Sequence, residues 1–149
     1  NIFLPLVLAG KDYPAMAKKL RPIAEQLGIA DLLAKYPYEV SGGQKQRCAV
    51  ARALITGPQL VLADEPTGAL DSRSSGSLLD LFGEINRAGQ TIVMVTHSVE
   101  AASHAGRVLF LRDGQVYHQL RRETQSREAQ FRRISEVLTG LAQGGERHA

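Results

Sequence analysis

Two carboxylates stand side by side in this chain, Asp64 and Glu65, directly after the apolar run Leu60-Val61-Leu62-Ala63. An apolar run that ends in acids reads as a buried strand with its carboxyl end exposed, and ligands of open α/β sheets bind at that end. An Asp there offers the hard oxygen that magnesium takes in company with nucleotide phosphates. A Glu beside it is placed to orient or deprotonate a water that attacks a terminal phosphate. Taken alone, the pair is equally a strand end dressed with solvated carboxylates. Upstream lies Ser41-Gly42-Gly43-Gln44-Lys45-Gln46-Arg47. The two glycines let backbone N–H groups at a helix start approach an anion, the helix dipole favours phosphate there, and Ser41 adds a hydroxyl. An ordinary N-cap after a loop has the same look. His97 follows a second apolar run, Thr91 to Val95, much as Asp64 follows the first. Neighbouring parallel strands would bring both to one edge of a sheet.

The elements that must position these residues can be read from periodicity and breakers. Ile2 to Lys35 reads as helix, with Pro22 expected to kink or divide it and Gly28 to end it. Pro37 pushes Tyr36 out of helical geometry, so Tyr36-Pro37-Tyr38 is a turn. The helix opened by Ser41 runs to Ile55 and stops at Gly57-Pro58. Leu60 to Ala63 and Thr91 to Val95 read as strands buried on both faces. Ser72 to Asn86 is a helix between them, with Leu78, Leu79, Phe82 and Ile85 at helical spacing. Strand, helix, strand at this spacing means a parallel sheet with crossover helices. Val99 to His104 is a short helix, and Asp113-Gly114 between two apolar runs signals a hairpin. Ser126 to Leu141 places Phe131, Ile134, Leu138 and Leu141 on one helical face, with Gly144-Gly145 and the polar end beyond expected to fray. This gives a helical part over residues 1–57, an α/β core over 58–120, and an amphipathic helix and tail over 121–149.

Composition narrows the function classes. The chain has 149 residues, 44% of them apolar and 22% charged, which suits one packed domain and not a disordered chain. Eighteen Lys and Arg against 15 Asp and Glu leave a net charge of +3, with no pattern that suggests nucleic-acid binding. The single cysteine, Cys48, leaves no disulfide framework and reads as a small apolar residue. No run reaches the roughly 20 apolar residues of a membrane span. His104, His118 and His148 lack metal-ligand spacing.

Taken in order, the motifs resemble those of ATP-binding-cassette (ABC) ATPases, and the resemblance covers nearly the whole chain. Ser41-Gly42-Gly43-Gln44 looks like the family signature, Leu60 to Asp64 like its Walker B strand, Gly68-Ala69-Leu70-Asp71 like its D-loop and Thr96-His97 like its switch histidine. The resemblance implies an α/β P-loop NTPase fold and a head-to-tail pair of cassettes with ATP and Mg2+ between them. Ser41, Gly42, Gly43 and Gln44 would then bind, in trans, the ATP held by the second ATPase subunit. Asp64 would hold magnesium, Glu65 would be the catalytic base, His97 would contact the γ-phosphate, and Asp71 would cross the dimer interface.

Gly-x-x-x-x-Gly-Lys-Ser/Thr occurs nowhere in the 149 residues, and no Q-loop glutamine precedes the helical part. Against the family pattern the chain therefore reads as the C-terminal portion of a cassette, a helical subdomain and a parallel-sheet core lacking the phosphate-loop strand. It is expected to be inactive by itself, with unpaired apolar sheet edges. The stretch Leu60 to Asp71 resembles the macrolide- and lipoprotein-exporter branch. The flanks Tyr36-Pro37-Tyr38-Glu39 and Thr96-His97-Ser98 are closer to bacitracin and antimicrobial-peptide exporters. Such an ATPase would be cytoplasmic, peripheral on the inner face of the cell membrane, and partnered by a membrane permease that residues 2–35 would touch. A soluble repair or translation ATPase and a non-catalytic regulatory fragment are the rival readings.

Overall fold

The computed structural model describes residues 1–145. They form two compact units, Asn1–Val95 and a second that begins at Thr96.

In the first unit, helices α1 (Leu4–Leu8), α2 (Tyr13–Gln26) and α3 (Gly42–Leu54) precede strand β1 (Leu60–Asp64), helix α4 (Ser72–Arg87) and strand β2 (Thr91–Val95). Short 3-10 turns cover Ala30–Leu32 and Pro37–Glu39. The single N-terminal helix expected from the sequence is instead broken at Gly10, whose φ is 68°. The Asp12 carboxylate then accepts from the Ala15 N–H at 3.2 Å and starts α2. Pro22 does not divide α2. Its ring removes one backbone donor, and Pro22 and Lys18, which would have supplied the acceptor, are both exposed, so water can replace the lost bond. Gly28, at φ 61°, ends this stretch as expected.

One hydrophobic core joins these elements. Ala24, Leu27 and Leu32 meet Val50, Ala51 and Ile55 of the α3 stretch and Leu78, Leu81, Phe82 and Ile85 of α4, with Ala63 and Ile92 of the strands packed against them. β1 and β2 pair in parallel, from Leu60 opposite Thr91 to Asp64 opposite Val95. The expectation of burial on both faces fails. Val61 is buried, while Leu62 on the opposite face is 73% exposed and Val95 is 60% exposed. A continuous apolar run reports what a strand could bury, but only the face turned toward α4's core is covered among the described residues.

The second unit contains α5 (Val99–Ser103), β3 (Arg107–Arg112), β4 (Gln115–Arg121) and α6 (Arg127–Gly145). Asp113 and Gly114 both have positive φ, 51° and 76°, the geometry of a tight hairpin turn between antiparallel β3 and β4. Phe110, Leu120 and Ile134 are its buried centre, so α6 folds back on its own unit. The buried stripe of α6 differs from the expected one. Phe131 and Leu138 stand at its exposed margin, and Gln130, 2% exposed, takes an inner position. The Gln130 side-chain N–H donates to the Ala105 carbonyl at 2.8 Å, while its Oε1 is buried without a hydrogen-bond partner among the described residues. Gly144 and Gly145 belong to α6, contrary to the expected fraying, and the polar end beyond them, with His148, lies outside the described residues. Among the described residues no helix is long and apolar enough to cross a membrane.

Candidate functional site

The helix tip expected at Ser41 is built by reciprocal capping. The Ser41 hydroxyl accepts from the Gln44 N–H at 3.3 Å, and the Gln44 side-chain oxygen accepts from the Ser41 N–H at 2.9 Å. This capping box holds Ser41, Gly42, Gly43 and Gln44 in one turn. Gly42 and Gly43 fall in the first turn of α3, where backbone N–H groups have no partner within the helix and the dipole's positive end is exposed.

The glycines also answer to packing. A Cβ on Gly43 would lie 3.2 Å from both Cβ and Oγ of Ser74, and one on Gly42 would lie 3.5 Å from Leu70. The tip is thus pressed against the start of α4. There Asp71 is the N-cap: its Oδ1 accepts from the Ser74 N–H at 2.9 Å and its Oδ2 from the Ser74 hydroxyl at 2.7 Å. The Ser74 hydroxyl, and then the Ser74 N–H, hold the Asp71 carboxyl below its ordinary pKa by stabilising the anion.

Asp64 ends β1 with an exposed side chain, and Glu65 follows it. The Glu65 N–H donates to the Val95 carbonyl at 2.9 Å, continuing the parallel ladder past its last pair, and Glu65 adopts φ 40°. This left-handed backbone is uncommon for a residue other than glycine, and such strain collects at functional positions. Pro66 and Thr67 after it are buried, and the Gly68 N–H donates to the Glu65 carbonyl at 3.0 Å, so Glu65 opens a tight turn. Asp64 and Glu65 are hard oxygen donors. Donors of this kind suit magnesium, which takes one or two carboxylates together with phosphate oxygens. His97 lies in the second unit and is exposed.

The structure therefore brings the Ser41–Gln44 tip and the Asp71 turn together, and puts Asp64 and Glu65 at the carboxyl end of β1. The positive φ of Glu65 had no signal in the residue types. Ser74 could have been suspected from Asp71 three residues before it. Arg47 could not. Its guanidinium donates to the Leu27 carbonyl at 2.8 Å and to the Ser77 hydroxyl at 2.6 Å, partners 20 and 30 residues away.

The first unit thus presents a capped glycine helix tip and a parallel pair of strands, the first of which ends in two acids. The sequence pattern of the family described as "ABC transporter" matches residues 3–68, and the chain belongs to the ABC transporter ATPase family. It is 47% identical over 145 residues to the "Bacitracin export ATP-binding protein BceA" of Halalkalibacterium halodurans, covering 95% of this chain and 57% of that protein. It is 40% identical to the "Macrolide export ATP-binding/permease protein MacB" of Wolinella succinogenes, covering 95% of this chain and 23% of that one. Among solved structures, the dimeric bacterial ABC transporter cassette MJ0796 is 34% identical, with a TM-score of 0.66, over 80% of this chain and 54% of that one. The fold is that of the P-loop NTPase cassettes. The chain spans little more than half the length of its relative BceA.

Proposed function

We propose that this chain supplies the signature tip and the catalytic carboxylates of an ATPase subunit that drives a membrane exporter. The observation that carries the reading is the presence in one chain of the capped Ser41–Gln44 tip and of Asp64 and Glu65 at a strand's carboxyl end, Glu65 being held at φ 40°. When bound, ATP with Mg2+ supplies the phosphorus centre that water attacks and part of the charge neutralisation. The N–H groups of Gly42 and Gly43 and the Ser41 hydroxyl bind the terminal phosphate of a nucleotide carried by a second copy of the subunit. Asp64 would hold the magnesium. Glu65 accepts hydrogen bonds from the attacking water and takes its proton. His97 contacts the terminal phosphate, and Asp71 reaches across the pair. Gly-x-x-x-x-Gly-Lys-Ser/Thr is absent from the 149 residues, so the segment by itself neither holds ATP tightly nor hydrolyses it.

The proposed partner is a membrane permease, with the subunit on the cytoplasmic side. The relative named for bacitracin export favours a peptide antibiotic as the exported class, and the relative named for macrolide export is the alternative. The test is magnesium-dependent phosphate release by the complete subunit reconstituted with its permease in vesicles. Wild type should release phosphate, and Glu65→Gln should stop release while an ATP-dependent pair persists. A Glu65→Gln subunit that turns over normally would remove Glu65 from the chemistry, and a wild type that releases nothing would end the ATPase reading.

A further inference from the structure

Two features of the α3–α4 contact recur one helical turn apart. On α3, Gly43 and Arg47 are four residues apart and share a face; on α4, Ser74 and Ser77 are three apart and share another. Gly43 abuts Ser74, and Arg47 donates to Ser77 at 2.6 Å. Arg47 is itself fixed from behind by the Leu27 carbonyl at 2.8 Å, beside Gly28, where a Cβ would lie 3.4 Å from the guanidinium. Below these contacts Val50 and Ala51 of α3 share a core with Leu78 and Leu81 of α4. The two helices are thus attached at successive levels, and the outermost level is Ser74.

Ser74 is engaged on both sides. Its Cβ and Oγ close the space over Gly43, while its hydroxyl and N–H hold the two oxygens of Asp71. We propose that Ser74 is a positioning residue that locks the Asp71 carboxylate to the glycine tip of the same subunit, so that the two surfaces presented to the partner subunit move as one piece. The role rests on the ATPase reading given above. Ser74 touches no reacting atom. It acts by fixing the rotamer of Asp71 and the approach of Gly43, and the cost of losing it falls on the assembled, hydrolysing state.

The test uses the complete subunit with its permease, and reads kcat and KM for ATP together with the melting temperature. Ser74→Ala removes the hydroxyl that holds Asp71. Losing one hydrogen bond of about 1 kcal/mol corresponds to roughly a fivefold fall, which should appear in kcat with KM for ATP within about twofold of wild type. Ser74→Thr retains the hydroxyl and should recover most of the loss. Gly43→Ala presses on both the Cβ and the Oγ of Ser74, and Ser74→Ala removes the second of these, so Gly43→Ala with Ser74→Ala should be less impaired than the product of the two single effects. Three results would overturn the proposal: Ser74→Ala with wild-type kcat, a loss that Ser74→Thr shares in full while the melting temperature falls, or single effects that simply multiply. Absence of phosphate release by the wild type would instead refute the underlying ATPase reading.

Discussion

The backbone N–H of Glu65 donates to the carbonyl of Val95 at 2.9 Å, one residue beyond the last pair of the β1–β2 ladder. This bond carries the parallel pairing into the turn and keeps Glu65 on the sheet while its backbone turns to φ 40°. The backbone of Glu65 is thereby tied to the strand ends.

Backbone strain at Glu65 gives a stability prediction separate from catalysis. A left-handed non-glycine residue costs about 1–2 kcal/mol. Glu65→Gly should therefore leave stability unchanged or raise it, offset in part by the greater unfolded-state freedom of glycine. Glu65→Val should lower it by about 1–2 kcal/mol or more, because a β-branched side chain tolerates this conformation worse. Chemical denaturation of the complete subunit distinguishes the two variants, and a valine variant as stable as the glycine variant would show that the strain is absent.

Loss of the Ser41 hydroxyl should be felt locally. Ser41→Ala removes the cap on the Gln44 N–H and should cost about 1 kcal/mol, whereas Ser41→Asp restores a cap acceptor. The aspartate would nonetheless place a negative charge where phosphate is proposed to bind. Stability should recover in Ser41→Asp while ATP-dependent pairing does not, as measured by denaturation and by size-exclusion chromatography with ATP.

Asp71 makes the fold sensitive to acid in a definite direction. Its carboxyl is held below the ordinary value, chiefly by the Ser74 hydroxyl, so the folded state binds its proton later than the unfolded chain does as pH falls. The resulting stabilisation is fully present above the unfolded value of about 3.9 and is lost as pH drops through the lower folded value. Asp71→Asn should flatten the loss of stability below about pH 4 and leave the pH dependence near neutrality as it was. Melting temperatures across that range are the measurement.

Cys48 should react slowly in the native state. It is half-buried against the first unit's core, and burial pushes its thiol pKa up, which lowers the thiolate fraction. Iodoacetamide at mildly alkaline pH should label the folded protein more slowly than the unfolded chain. Equal rates would mean that the thiol is neither shielded nor shifted.

Much of this protein is local in origin, and that part was legible in the residues. Ser41 followed by Gln44 is a capping box whichever fold contains it, Asp113-Gly114 turns a hairpin by its own backbone preferences, and an apolar run closed by Asp64 and Glu65 is a strand with acids at its end. The ordered motifs pointed to the family for the same reason, since each is a short stretch whose chemistry depends on near neighbours. Other features depend on partners distant in the chain. Whether Pro22 divides a helix depends on solvent at Lys18. Whether Leu62 is covered depends on what packs on that face. Whether Gln130 is inside depends on the Ala105 carbonyl. The contact of Gly43 with Ser74 and the fork of Arg47 between Leu27 and Ser77 belong to the same class, because residue types and spacing set which bonds a side chain can make, while only the packed chain sets which atoms come within reach.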